Sequence, residues 1–140
     1  MSSWQTTFYK TKVKPYERYE REAAERIQKL NKLEIVSFNN DNKYDFIDSL
    51  GIKYEVKYDR ASNNTGNFYI EHNGYGKLSG ISTTEAQYYI ITDGINYYLI
   101  RTDKLKSLCA QYGVIRTTKD LKTFGCVINC DIVICHSLSI

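Results

Sequence analysis

No apolar run in this chain approaches the roughly 18–20 residues needed to span a bilayer. The opening stretch, Met1-Ser2-Ser3-Trp4-Gln5-Thr6-Thr7, lacks the apolar core of a secretory signal. These absences predict an intracellular, cytoplasmic protein with no membrane partner. The four cysteines, Cys109, Cys126, Cys130 and Cys135, include no C-x-x-C pair of the kind zinc ribbons use. Three of them interleave with Val127, Ile128, Ile132, Val133 and Ile134. That pattern reads as buried strand carrying free thiols, so no zinc is expected, although His136 follows. There is a single proline, and neither an internal repeat nor a low-complexity segment. Thirteen tyrosines beside many Ile, Lys and Asn suggest an AT-rich genome, as in a phage, a virus or a low-GC bacterium.

What is present is an ordinary globular composition. The length of 140 residues suits one domain with a real core. Net charge is +3, which permits nucleic acid as a partner without demanding it. The distribution says more: Lys10, Lys12, Lys14, Arg18 and Arg21 cluster before and along the first helical pattern. They form either a DNA-facing surface or a plain solvated face. Residues 1–14 read as a basic N-terminal segment and 15–140 as a single domain.

Pro15 fits a helix start, and Tyr19, Ala23, Ile27 and Leu30 recur at helical spacing, with Asn31 as a left-handed cap. Strands are expected over 33–38, 44–48, 52–58 and 67–72, with a turn over 39–42. Residues 59–66 and 73–80 read as polar and glycine-rich connections, and 82–86 as a short capped helical turn. Tyr88–Thr92 and Asn96–Arg101 form a hairpin around Asp93-Gly94. A helix capped by Thr102 or Asp103 runs to about Tyr112, and apolar strand closes the chain from Cys126 to Cys135. The order predicts an α/β domain with a central mixed sheet flanked by helices.

Within the third strand, Glu55-Val56-Lys57 carries the most chemistry. Strand alternation sets Glu55 and Lys57 on one face, with Tyr54, Val56 and Tyr58 on the other. An acid and a lysine two apart on one face can both address one phosphate. The plain reading is a half-exposed strand with its polar side in water. Asp41-Asn42-Lys43 and Asp120-Leu121-Lys122 show the same short pattern in turn-like sequence, where it carries no meaning. Asp45 lies between Tyr44 and Phe46, in a setting where Asp is uncommon, and a carboxylate there needs a partner or a metal. On the first helix Glu20 borders the apolar stripe, Glu22 lies farther round on the other flank, and Glu25 points away.

The series Glu20, Asp45, then Glu55-x-Lys57 resembles the PD-(D/E)xK nuclease superfamily. Its local order is similar to the Holliday-junction resolvases and small phage endonucleases. Glu20-Arg21-Glu22 resembles the resolvases' N-terminal helix. Thr65–Glu71 and Ser79–Tyr89 look like phage and viral members, and the likeness covers about residues 16–105. Tyr44, rather than a proline, precedes Asp45. The resemblance implies a restriction-endonuclease-like core and a Mg²⁺-dependent DNA endonuclease, with Mn²⁺ substituting. Asp45 and Glu55 would bind the ion through oxygen, with the Val56 carbonyl as a further ligand. Lys57 would orient or help deprotonate the attacking water, and Glu20 would complete the metal shell or hold one of its waters.

Glu71 is a further candidate acid, its alternative being an ion pair with Lys53 or Lys57 across adjacent strands. His72 reads as a surface residue, and Gln87 as structural or close to DNA. Arg60 and Lys77, in the two polar connections, join Lys12, Lys14, Arg18 and Arg21 as candidate phosphate contacts. The paired tyrosines read as core plus rim. Symmetric cutting of branched DNA implies a homodimer. The competing readings are a sequence-specific restriction-type endonuclease and a non-catalytic nucleic-acid-binding protein of the same fold.

Overall fold

Helix α1 spans Pro15–Asn31, at the start of the residues that the computed structural model describes, 15–39 and 43–140. Glu17 and Lys29 complement the helix dipole at its two ends. Its buried face is Ala23, Ala24 and Ile27, with Tyr19 packed beside them. Leu30, expected on this stripe, is exposed. The stripe turns toward Ala24, so the last helical turn adds nothing to the core. The left-handed residue is Lys32, at φ +55°, and Asn31 remains helical.

The chain continues through β1 (Ile35–Phe38), β2 (Phe46–Asp48), β3 (Lys53–Tyr58), α2 (Ser62–Thr65), β4 (Asn67–Gly74) and β5 (Lys77–Leu78). A 3₁₀ turn at Gly80–Ser82 leads to β6 (Tyr88–Thr92), β7 (Tyr97–Arg101) and α3 (Thr102–Tyr112). The last elements are β8 (Val114–Thr117), β9 (Thr123–Asn129), α4 (Cys130–Cys135) and β10 (Leu138–Ser139). A six-stranded sheet has the order β1-β2-β3-β6-β7-β10, and a four-stranded sheet has the order β5-β4-β9-β8. In the larger sheet β3 pairs parallel with β6, while its other neighbours pair antiparallel. The fold is therefore mixed α/β, with a mixed central sheet flanked by helices. Among the described residues no helix is long and apolar enough to cross a membrane.

Alternation along the central strands builds two cores. Phe46, Tyr54, Ile90 and Tyr97 pack against Ala23, Ala24 and Ile27 of α1. Tyr89, Ile91 and Ile100 face the opposite way, toward Phe68, Ile70, Cys126 and Ile128 of the second sheet and Leu105, Leu108 and Val133 of α3 and α4.

Several expectations are corrected. Strand β4 does not lie beside β3: it pairs with β5 and β9 in the second sheet, facing β3 across a core. Residues 73–80 form a hairpin rather than an open connection, and 59–66 includes a helical turn. The turn expected over 82–86 winds earlier, at Gly80–Ser82. Helix α3 has Arg101 at its N-cap with no side-chain cap, while Asp103 binds Arg101 and the Lys104 N–H. Residues 130–135 are helical, not strand. The Asn129 side chain accepts the Asp131 N–H, and the Cys130 N–H donates to the Gly66 carbonyl, which turns the backbone out of the sheet. The turn expected over 39–42 falls largely outside the described residues.

Asp48 sets the geometry on which the site depends. It is buried, and Oδ1 accepts the N–H groups of Leu50 (2.9 Å) and Ile52 (3.0 Å). Oδ2 accepts the Tyr54 hydroxyl at 2.8 Å. One carboxylate thus closes the β2–β3 turn and holds the two strands in register. Asp48→Ala leaves these donors without their charged acceptor and is expected to lower unfolding free energy by about 3 kcal/mol or more. Urea titration checks this, with Asp48→Asn expected to cost less because one acceptor remains.

Candidate active site

Tyr54 and Val56 belong to the core under α1, so Glu55 and Lys57 are turned toward the second sheet. The plain reading, a half-exposed strand with its polar side in water, therefore gives way to a largely desolvated face. Glu55, Val56 and Lys57 line a cavity of about 140 Å³ together with Ile70, Glu71 and Tyr89. Asp45 and Glu55 line an adjoining cavity of about 550 Å³ that reaches Lys77 and Ser79 under the β4–β5 hairpin. A larger cavity of about 690 Å³ lies elsewhere, between α1 and the chain around Ser139 and Ile140.

Asp45 sits at a bend just before β2. Its N–H donates to the Tyr54 carbonyl at 2.8 Å, and its Oδ2 accepts the Val56 N–H at 2.6 Å. Glu20 reaches it from α1 and shares a hydrogen bond with its carboxylate. That contact raises Glu20 and lowers Asp45. Burial, then the charge of Asp45, pushes Glu20 up to about 8. Burial also pushes Glu55 up to about 8, reinforced by Asp45 and Glu20 and opposed by Lys57. Asp45 rises to about 6 through burial, held back by the Val56 N–H and Glu20. The Glu55 Oε2 is buried with no hydrogen-bond partner.

These residues fit a hard divalent cation. An orphaned carboxylate oxygen beside a second desolvated carboxylate is the donor chemistry such ions take. Among the described residues no three acidic, histidine or cysteine side chains converge as a full shell. The candidate donors are two carboxylates, Asp45 and Glu55, and the backbone carbonyl of Val56.

Lys57 forms no ion pair among the described residues, and its Nζ lies 5.9 Å from the centre of the Tyr69 ring. Asp59, which sequence reasoning passed over, anchors that ring's strand: its Oδ2 accepts the Tyr69 N–H at 2.8 Å and its Oδ1 the Ser62 N–H. An acid directly after a strand was the available signal. Glu71 lines both cavities from the second sheet, and its Oε2 accepts the Ser79 hydroxyl at 2.8 Å. Gly80 is required for this approach. It sits at φ +53°, and a Cβ there would lie 2.2 Å from the Glu71 carbonyl oxygen.

Other expected residues lie apart. Glu22 accepts the Tyr97 hydroxyl and pairs with Arg18 on the far flank of α1, which leaves Glu20 as the helix acid at the site. Glu71 has no ion pair with Lys53, which pairs with Glu85 instead. Gln87 is a stitch: its Oε1 accepts the Lys53 N–H at 2.8 Å, and its carbonyl accepts the Thr102 N–H. His72 is half-buried rather than on the surface, with Nδ1 against the Asn73 side chain and Nε2 unpartnered. Among the candidate phosphate contacts, Lys77 lines the larger cavity. Arg21 covers the Phe38 ring at 4.7 Å, and Arg60 is exposed after β3. Lys12 and Lys14 lie outside the described residues. The four cysteines are free, with Cys126 buried on β9.

No protein-family description matches the chain, and no curated protein is significantly similar to it.

The raised carboxyls predict a pH dependence. In the folded chain Glu20 and Glu55 keep protons that the unfolded chain releases above its usual carboxylate range. Their contribution to stability is complete below about pH 4.5 and is lost as pH rises through about 8. In EDTA the melting temperature should therefore fall between about pH 5 and pH 8.5, and Glu55→Gln should flatten the fall. Mg²⁺ or Mn²⁺ should raise the wild-type melting temperature more at about pH 8 than at about pH 5.5.

Proposed function

We propose that this chain is a divalent-cation-dependent DNA endonuclease of the PD-(D/E)xK type, selective for branched DNA and acting inside a cell. The observation that carries the reading is the buried, unpartnered Glu55 oxygen, in a cavity that Asp45 also lines and on the strand face that Lys57 shares. The path of α1, the antiparallel β1–β2–β3 run and the parallel pairing of β3 with β6 supports a restriction-endonuclease-like core.

Asp45 and Glu55, with the Val56 carbonyl, would hold Mg²⁺, which supplies charge neutralisation at the scissile phosphate and acidifies a water. The chain's own residues do the rest. The Val56 N–H fixes the Asp45 carboxylate in place, and Glu20 meets it from α1. Lys57, on the same strand face as Glu55, orients the attacking water and offsets phosphate charge. Lys77, exposed and lining the same cavity as Asp45 and Glu55, serves as a phosphate contact. The second sheet covers this face of β3, and the partial burial of Glu55 strengthens its interactions. Symmetric incision of a junction calls for a homodimer.

The test is cleavage of four-way-junction, duplex and single-stranded DNA with Mg²⁺, Mn²⁺ or EDTA. Cutting should require the cation, favour the junction and leave 5′-phosphates. Lys57→Ala should slow cutting by about 10²–10⁴-fold with DNA binding retained. Glu55→Ala should abolish it. Cutting in EDTA, or full activity in either variant, contradicts the assignment.

A further inference from the structure

The hairpin above the site has an unusual tip. β4 and β5 are joined by Tyr75-Gly76, at φ +55° and +77°. A two-residue turn with both central residues left-handed is ordinarily filled by Asn-Gly or Gly-Gly, because a side chain there is strained. Tyrosine occupies the first place instead. A second case lies beside it: Leu121, in the β8–β9 connection, sits at φ +62°. The two turns are joined directly, the Tyr75 N–H donating to the Lys122 carbonyl at 2.7 Å. The Leu121 turn is itself fixed, since Asp120 Oδ1 accepts both the Thr118 hydroxyl and the Lys122 N–H.

Burial does not repay either conformation. Tyr75 is 75 % exposed and Leu121 is 70 % exposed. Strain held at an exposed, anchored tip points to a use in recognition. Tyr75 and its neighbour Leu78 line the same cavity as Asp45 and Glu55, so the apolar tip is continuous with the candidate site. Lys77 and Lys122 flank it, and neither forms an ion pair among the described residues. An aromatic face and an aliphatic tip set between lysines suit a nucleobase carried on a phosphate chain.

We propose that Tyr75 and Leu121 form a wedge that receives an unpaired base of the DNA strand whose phosphate lies at Asp45 and Glu55, a reading that rests on the nuclease assignment. In paired duplex the base faces are stacked on one another and out of reach. A free face exists at a junction centre, a bulge or an overhang. The wedge would thus supply the preference for branched or distorted DNA, while Lys77 and Lys122 hold the flanking phosphates.

The test is DNA binding in EDTA, so that no cutting intervenes, with 2-aminopurine at the unpaired position of a bulged duplex. Wild type and Tyr75→Phe should quench the probe and bind the bulged DNA more tightly than a paired duplex of equal length. Tyr75→Ala and Tyr75→Gly should lose the quenching and about tenfold in affinity for bulged DNA, with little change on paired duplex. Tyr75→Gly relieves the left-handed strain, so its melting temperature should match or exceed that of wild type, which separates lost recognition from lost folding. Equal losses on both DNAs, or none on either, overturn the wedge. A Tyr75-dependent preference in a chain that cuts no DNA supports the wedge and removes the nuclease reading. Cation-dependent cutting without any Tyr75 effect on binding does the reverse.

Discussion

Successive side chains on a β-strand point to opposite faces, and on β3 that rule forces Glu55 and Lys57 into the gap between two sheets. Tyr54 and Val56 are committed to the core under α1, so the strand cannot rotate Glu55 into water without emptying that core. A slip of one residue would exchange the two sets. Asp48 prevents it by closing the β2–β3 turn and bonding the Tyr54 hydroxyl. The same register brings the Asp45 carboxylate onto the Val56 N–H.

The electrostatic consequences follow from that placement. Two carboxyl groups, Asp45 and Glu55, are buried within each other's field, Glu20 adds a third, and Lys57 opposes the charge on Glu55. Tyr89, packed beneath them, is pushed up by burial and then by the charges of Glu55 and Asp45. The folded chain relieves this by holding protons, at a cost in stability that grows toward neutral pH. Under the proposed function, the site exchanges those protons for a divalent cation.

Much of this was legible in the sequence where local rules govern. The period-two pattern of residues 52–58 identifies which side chains share a face with Glu55, and the helical stripe places Glu20 at a border. Asp93-Gly94 marks the β6–β7 hairpin correctly. What escaped depends on contacts distant in sequence. No local signal tells that β4 leaves the central sheet for β9, so Glu71 was expected beside β3 when it faces the site from across a core. The turn of residues 130–135 into helix rests on Asn129 and on the Gly66 carbonyl, far away in the chain. Helical spacing sets Glu20 and Glu22 on opposite flanks of the stripe but does not tell which flank meets the site. The Tyr97 hydroxyl separates them by binding Glu22 on the far flank. Tyr75 drew no notice in a glycine-rich stretch, because its left-handed backbone is visible only once the hairpin is built.

The central claim is that the desolvated carboxylates exist to bind one divalent ion in exchange for protons. Calorimetric titration of Mn²⁺ at about pH 7, in two buffers of different ionisation enthalpy, measures both quantities at once. The account predicts one ion per chain and the release of roughly one to two protons, since Glu20 and Glu55 both hold theirs until about pH 8. Both signals should be lost in Glu55→Gln. No binding in the wild-type chain, or binding that Glu55→Gln leaves intact, would contradict it.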